Sequence, residues 1–379
     1  MERAELLDDF DVLLPAPLDE DIETEGAITQ PFDPAKIRVE TKQLSIDTLL
    51  SRMQNGEIIL QPDFQRQQVW RDKARSRLIE SILIRIPLPA FYMDATDDDK
   101  WLVVDGQQRL GTLERFVLSE KDRLHLEGLE FLSEFNGRAF EELPRAFQRR
   151  IRETNVTVYL IERGTPSAVK INIFKRINTG GLPLSPQEIR HALNGQPVAD
   201  MLKELAASTE FQAATNKAVP SERMTDREYV ARFFAFVITP PNDYSGQEFD
   251  AFLSETMAAI NKLSNDERDV LKFRFQRAMR RCGEILGRNA FRKVFSLDPS
   301  ERLRPVNKAL FEAWSVNLDK LTDDDALRLK ECEEDLTRRF VELMQDREFE
   351  QSISQGTGDT IKVKRRFASI ARIIAETLS

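Results

Sequence analysis

Short apolar runs separated by polar turns fill the first half of the chain, and long stretches of helical spacing fill the second. Trp101-Leu102-Val103-Val104 reads as a buried strand, and Leu110 to Leu118 carries apolar residues at helical spacing. Further strands are expected at Ile58-Ile59-Leu60, Phe91-Tyr92-Met93 and Val156 to Ile161. The pattern predicts helices from Leu44 to about Asn55-Gly56, from Ala74 to Arg85, from Pro144 to Thr154 and from Ser167 to Ile177. Leu78, Ile82 and Ile86 form one stripe of the second, which stops at Pro87-Leu88-Pro89. Pro62 to Trp70 reads as a polar loop and Asp94 to Lys100 as an acidic turn. At residue 185 a helix starts cleanly: Ser185 caps, Pro186 takes the first position and Glu188 completes a capping box. From about Pro197 strand-like alternation stops, and helical patterns run to Ser379, broken at Thr239-Pro240-Pro241-Asn242 and Asp298-Pro299-Ser300. The expected fold class is α+β. Residues 35–196 form a small mixed sheet-and-helix core, and residues 197–379 an all-helical region.

Composition adds two points. At 379 residues and 41% hydrophobic, the chain can bury a sizeable core, yet no apolar stretch reaches the length of a membrane span. The N-terminus lacks the basic start and apolar core of a signal peptide, and Cys282 and Cys332 stand alone, so a reducing cytoplasmic setting is expected. The formal net charge of −9 is concentrated at one end. Residues 1–34 hold eleven acids and one base, which leaves +1 for the rest. This acidic, proline-bearing tail is expected to be mostly disordered, and its charge does not argue against nucleic acid binding by the body.

The most informative chemistry lies at Asp105-Gly106-Gln107-Gln108-Arg109, on the predicted strand-to-helix turn. A helix start offers unpaired backbone N–H groups and a positive dipole end. Arg109 in its first turn adds a planar charge able to hold a phosphate by two hydrogen bonds. Gly106 would let a ligand approach the backbone, and Asp105 could hold a hydrated magnesium ion or orient a water. Gln107 and Gln108 could orient that water or a triphosphate. The alternative is that Asp105 only caps the helix and Arg109 only pairs with a nearby carboxylate.

Two loops are further candidates. Gln65-Arg66 sets an amide beside a guanidinium, able to read a phosphate or a base edge. Arg176, Asn178, Thr179 and Gly180 lie where a predicted helix ends, and could bind nucleotide phosphate or a metal-bound water. Lys272 to Lys293 holds eight bases and one acid, with Phe273, Phe275 and Phe291 interleaved. Arg277, Arg280 and Arg281 in this run are the candidate DNA contacts; the other possibility is a face paired with acids of neighbouring helices. His191 reads as structural, His125 as a loop residue, and there is no zinc spacing, nucleophile elbow or Walker-type phosphate loop.

Three segments together resemble one family: Pro62-Asp63-Phe64-Gln65-Arg66 with Trp70, Val103 to Arg109 with Thr112-Leu113, and Phe174 to Gly181 with Leu184, Glu188 and Arg190. In order and spacing they are similar to the N-terminal domain family of GmrSD-type restriction endonucleases, over residues 44–194 or so. The resemblance implies a ParB/sulfiredoxin-like core and a bacterial defence factor that couples nucleotide binding or hydrolysis at the Asp-Gly-Gln-Gln-Arg motif to recognition of modified foreign DNA. Many members carry a separate HNH-type nuclease domain, which needs several histidines. This chain has only His125 and His191. The expectation is therefore an NTP-hydrolysing, DNA-sensing subunit that uses NTP and Mg2+, with any cleavage done by a separately encoded nuclease. DNA, including modified phage DNA, is the expected partner, homo-oligomer formation is left open, and no membrane is involved. The rivals are a non-catalytic ParB-like DNA-binding module switched by nucleotide, and a nuclease acting through the pentad itself.

Overall fold

The computed structural model describes residues 37–60, 70–97, 99–166, 169–170, 173–174, 185–246, 248–298 and 300–379. Five strands form one mixed sheet: β1 (Val39–Ser45), β2 (Ile58–Ile59), β3 (Phe91–Asp97), β4 (Lys100–Asp105) and β5 (Asn155–Glu162), in the order β1-β5-β3-β4-β2. β1 pairs antiparallel with β5 and β3 with β4, while β3–β5 and β2–β4 are parallel. Side chains alternate between faces along each strand. On one face Phe91, Met93, Val103 and Val158 pack against α1 (Ile46–Gln54), α2 (Asp72–Leu83), α3 (Gln107–Val117) and α4 (Arg145–Glu153). On the other, Tyr92, Val104 and Ile161 meet Phe174 and Ile189. Each fully buried Phe or Leu here stabilises the fold by roughly 1.5–3 kcal/mol relative to exposure.

The sequence pattern had no strand at β1. It is an edge strand of sequence Val-Glu-Thr-Lys-Gln-Leu-Ser, largely exposed, and its only strong partner is β5. Leu44 lies within this strand instead of opening α1, and Ser45, its last residue, caps the helix by accepting a hydrogen bond from the Thr48 amide at 3.1 Å. β3 also runs into the predicted acidic turn. Asp94 is buried within it, and its charge is met by Lys170 at 2.9 Å.

The helical region packs around its own apolar core. After α5 (Pro186–Asn194) come α6 (Val198–Ala206), α7 (Thr209–Ala214), α8 (Thr225–Ile238), α9 (Phe249–Asn261) and α10 (Asn265–Leu286). α11 (Lys308–Asp319), α12 (Asp323–Glu331), α13 (Glu333–Leu343), α14 (Arg347–Ser354) and α15 (Thr360–Leu378) complete it. Phe233, Phe275, Phe311 and Trp314 are central to this core. Both predicted breaks fall between helices. No helix among the described residues is long and apolar enough to cross a membrane.

A chain of buried charges threads the helices. Arg190 of α5 is fully buried and pairs with Asp250 and, at 3.8 Å, with Glu228. Glu228 meets Arg232 at 2.8 Å and Lys308 at 3.1 Å. Arg232 passes on to Glu312 at 2.7 Å, which also holds Arg366. Although burial works against its charge, Lys308, Arg232 and Arg190 hold the Glu228 carboxyl well below its usual range. The capping box that starts α5 is present in full: Ser185 accepts from the Glu188 amide at 3.1 Å, and Glu188 accepts from the Ser185 amide at 2.6 Å.

Candidate functional site

The pentad sits where it was expected, on the turn from β4 into α3, but its residues divide into two groups. Asp105 ends the strand and Arg109 lies in the first helical turn, so the two are one turn apart. Arg109 Nη2 donates to Asp105 Oδ2 at 2.7 Å and to the Ala90 carbonyl at 3.2 Å, and Nη1 donates to the Pro89 carbonyl. Its guanidinium lies 4.6 Å from the centre of the Phe91 ring. Its side chain is 10% exposed and that of Asp105 33%. Burial lowers the guanidinium pKa, and the Asp105 charge opposes that shift. The second possibility read from the sequence, an arginine paired with a nearby carboxylate, describes this geometry.

Gly106 is required by the turn itself. Its φ of +101° lies in the left-handed region that favours glycine. A Cβ there would come within 2.4 Å of Phe91 Cδ1. The missing side chain therefore makes room for the Phe91 ring against the turn.

Gln107 and Gln108 face the other way, into a cleft of about 580 Å³ along the exposed side of α3. Leu60, Arg75, Gly111, Glu114, Arg115 and Asp122 share its lining. The Gln107 amide donates to the Val103 carbonyl at 3.1 Å, and Gln108 Oε1 accepts from the Trp70 amide at 3.5 Å. Arg75 Nε donates to the Trp70 carbonyl at 2.9 Å. Arg115 is held by Asp72 and by Asp122, the latter at 2.9 Å, and these partners raise its pKa. Glu114 is half-buried, and burial raises its carboxyl pKa. Arg75, Glu114 and Arg115 were not picked out from the sequence. The available signal was α3 spacing, since positions 107, 111 and 114 fall on one face and 108 and 115 beside it.

The other expected sites fare differently. Gln65, Arg66, Arg176, Asn178, Thr179 and Gly180 lie outside the described residues. The basic run from Lys272 to Lys293, which starts in α10 and continues past its end at Leu286, differs from an open cationic face, because each of its eight bases has a partner within the chain. Arg274 and Arg277 hold Asp319 at 2.6 and 3.0 Å. Arg281 is 7% exposed, donates to the carbonyls of Leu318 at 2.9 Å and Leu321 at 3.0 Å, and pairs with Asp323. Lys272 meets Glu204 at 2.8 Å, and Lys293 meets Ser354 at 2.8 Å. Arg288 donates to the Glu301 carbonyl, and Arg292 to those of Thr215 and Arg304. Arg280 keeps 58% of its side chain exposed, with Glu210 at 3.9 Å. Arg277 and Arg281 are thus used inside the fold, which corrects the assignment of both to DNA.

A magnesium ion would find one carboxylate at the pentad, that of Asp105, with Oδ2 already engaged by Arg109. No group of three or more metal-binding side chains occurs among the described residues. This donor set fits an ion that arrives on nucleotide phosphates and keeps most of its waters, which is how magnesium is commonly bound.

Residues 46–194 match the family model described as GmrSD restriction endonuclease, N-terminal domain. This segment of the chain is similar to that family. The GmrSD-type segment carries the pentad, the cleft and the capping box, and it ends on Asn194, the last residue of α5. No curated protein matches the chain, and no solved structure does.

Proposed function

We propose that the protein is the nucleotide-binding and NTP-hydrolysing component of a bacterial restriction or anti-phage system, and that it responds to DNA while a separate nuclease cuts. One observation carries this reading. The pentad of a restriction-family segment opens two glutamine amides into a polar cleft large enough for a nucleotide's phosphates, bordered by Arg75 and Arg115. Gln107 and Gln108 orient the triphosphate or the attacking water. Arg109 acts from behind, fixing Asp105 and the turn. Arg176, Asn178, Thr179 and Gly180 supply further nucleotide contacts, and Gln65, Arg66 and the exposed Arg280 meet DNA. Magnesium arriving on the phosphates would neutralise their charge, while Asp105, held by Arg109 and not part of the cleft lining, keeps the turn in place.

Phosphate release from ATP, GTP, CTP and UTP with magnesium, in the absence and presence of modified phage DNA, tests the proposal. Turnover of at least one nucleotide, reduced by Gln107→Ala, is expected. No turnover under any of these conditions would refute it.

A further inference from the structure

We propose that Glu114 is the catalytic base of the cleft, taking the proton of the water that attacks the terminal phosphate. The inference rests on the nucleotide reading above and adds a residue that lies outside the pentad.

The argument starts from helix geometry. Gln107, Gly111 and Glu114 stand at i, i+4 and i+7 on α3, so they follow one another along the face that lines the cleft. The rise of a helix puts the two ends of this row about 10 Å apart. Gly111 leaves the middle of the row without a side chain, and a Cβ there would touch only Leu60 Cδ1, at 3.9 Å. The result is a notch one side chain deep, with an amide at one end and a carboxylate at the other. A glycine inside a helix costs roughly 0.5–1 kcal/mol relative to alanine, and no close packing at this position explains it.

The second observation is the isolation of Glu114. The other acids of the cleft are occupied, since Asp122 holds Arg115 and neighbouring Asp72 holds Arg115 as well. The Glu114 carboxylate makes no hydrogen bond or ion pair among the described residues, although the residue is half-buried; its backbone carbonyl is engaged by the Leu118 and Ser119 amides. A carboxylate partly desolvated and without a partner has its charged form disfavoured. Such a group is suited to accept a proton, and burial moves its carboxyl pKa upward, toward the range where a general base works best.

The step balances without any further reactant. The water oxygen forms a bond to the terminal phosphorus, and the bond from that phosphorus to the bridging oxygen breaks. The bridging oxygen leaves with the electron pair on the nucleoside diphosphate. The water proton passes to a Glu114 carboxylate oxygen and from there to solvent.

The experiment compares the full chain with Glu114→Gln, Glu114→Asp and Gly111→Leu, using ATP, GTP, CTP and UTP with magnesium and plasmid or modified phage DNA. Phosphate release, binding of a fluorescent nucleotide analogue and thermal melting are measured. Glu114→Gln is expected to lower kcat by about 10²–10⁴-fold, to leave analogue binding within about twofold, and to melt no lower than wild type, because an unpaired desolvated charge has gone. It should also lose the acid limb of the pH profile, which in the wild type lies above the ordinary glutamate range. Glu114→Asp should keep the limb with reduced turnover, and Gly111→Leu should block analogue binding. If the wild type turns over nucleotide and Glu114→Gln does so equally, or keeps the acid limb, this inference fails and the nucleotide reading stands. If the wild type turns over none of the four nucleotides, both fail together.

Discussion

Arg109 and Asp105 grip each other across the strand-to-helix turn, 2.7 Å from Nη2 to Oδ2, while the same guanidinium closes on the carbonyls of Pro89 and Ala90. The pair is lopsided, with the arginine buried and the aspartate one-third exposed. Arg109→Ala is therefore expected to cost about 3–5 kcal/mol, the usual penalty for breaking a buried pair. Asp105→Ala is expected to cost about 1–3 kcal/mol, because it leaves a desolvated cation with only carbonyl partners. Urea denaturation of both variants and the double variant should give a coupling energy of about 0.5–3 kcal/mol. Coupling near zero would show that the pair does not act as a unit in the folded protein.

Neighbouring arginines of α10 should behave in opposite ways. Arg281→Glu would turn a carboxylate toward the Leu318 and Leu321 carbonyls and Asp323. A loss of about 3 kcal/mol or more is expected from such an unpaired buried charge. Arg280→Gln, at an exposed position, should stay within about 0.5 kcal/mol of wild type. Equal melting temperatures for the two variants would contradict the pairing described for Arg281.

Stability should fall in mild acid through His191. Burial, and then the Arg227 charge, push its pKa from 6.5 to about 4. Between those values the unfolded chain binds the proton and the folded one does not, so stability is fully present above about pH 6.5 and is lost as the pH drops toward 4. After allowance for its partial exposure, the contribution is on the order of 2 kcal/mol. Urea melts at pH 7.5, 6 and 5 should show a steeper decline for wild type than for His191→Asn. Parallel declines would assign the acid sensitivity to other groups.

Local chemistry was legible where it was decided locally. The Ser185–Glu188 box, the turn at Asp105 and the Leu78–Ile82 part of the α2 stripe depend on residues three or four positions apart, and each is found in the structure. Ile86, expected on the same stripe, lies beyond the end of α2 at Leu83 and is exposed. β1 was hidden because its residues are those of a solvated edge, and only the distant β5 makes them a strand. The basic run of α10 was misleading for a related reason. Arg274, Arg277 and Arg281 follow helical spacing toward one side, but the group that receives two of them, Asp319, lies some forty residues onward. A count of charges cannot show which way each one turns. The cleft was half legible, since the glutamines announced it, whereas Glu114 read as one more polar residue on an amphipathic helix.

The buried charges around Arg190 bear on how this protein can be divided. By family match the first segment ends at Asn194, yet four residues before that boundary stands a fully buried arginine whose carboxylates, Asp250 and Glu228, belong to the other side. A fragment cut at the boundary would carry a cation shaped for partners it no longer has. A chimera joined there would need to bring acids to the same two places. A domain that is portable as a sequence is therefore not portable as a folding unit, and its exchange between proteins is constrained by two carboxylates outside it.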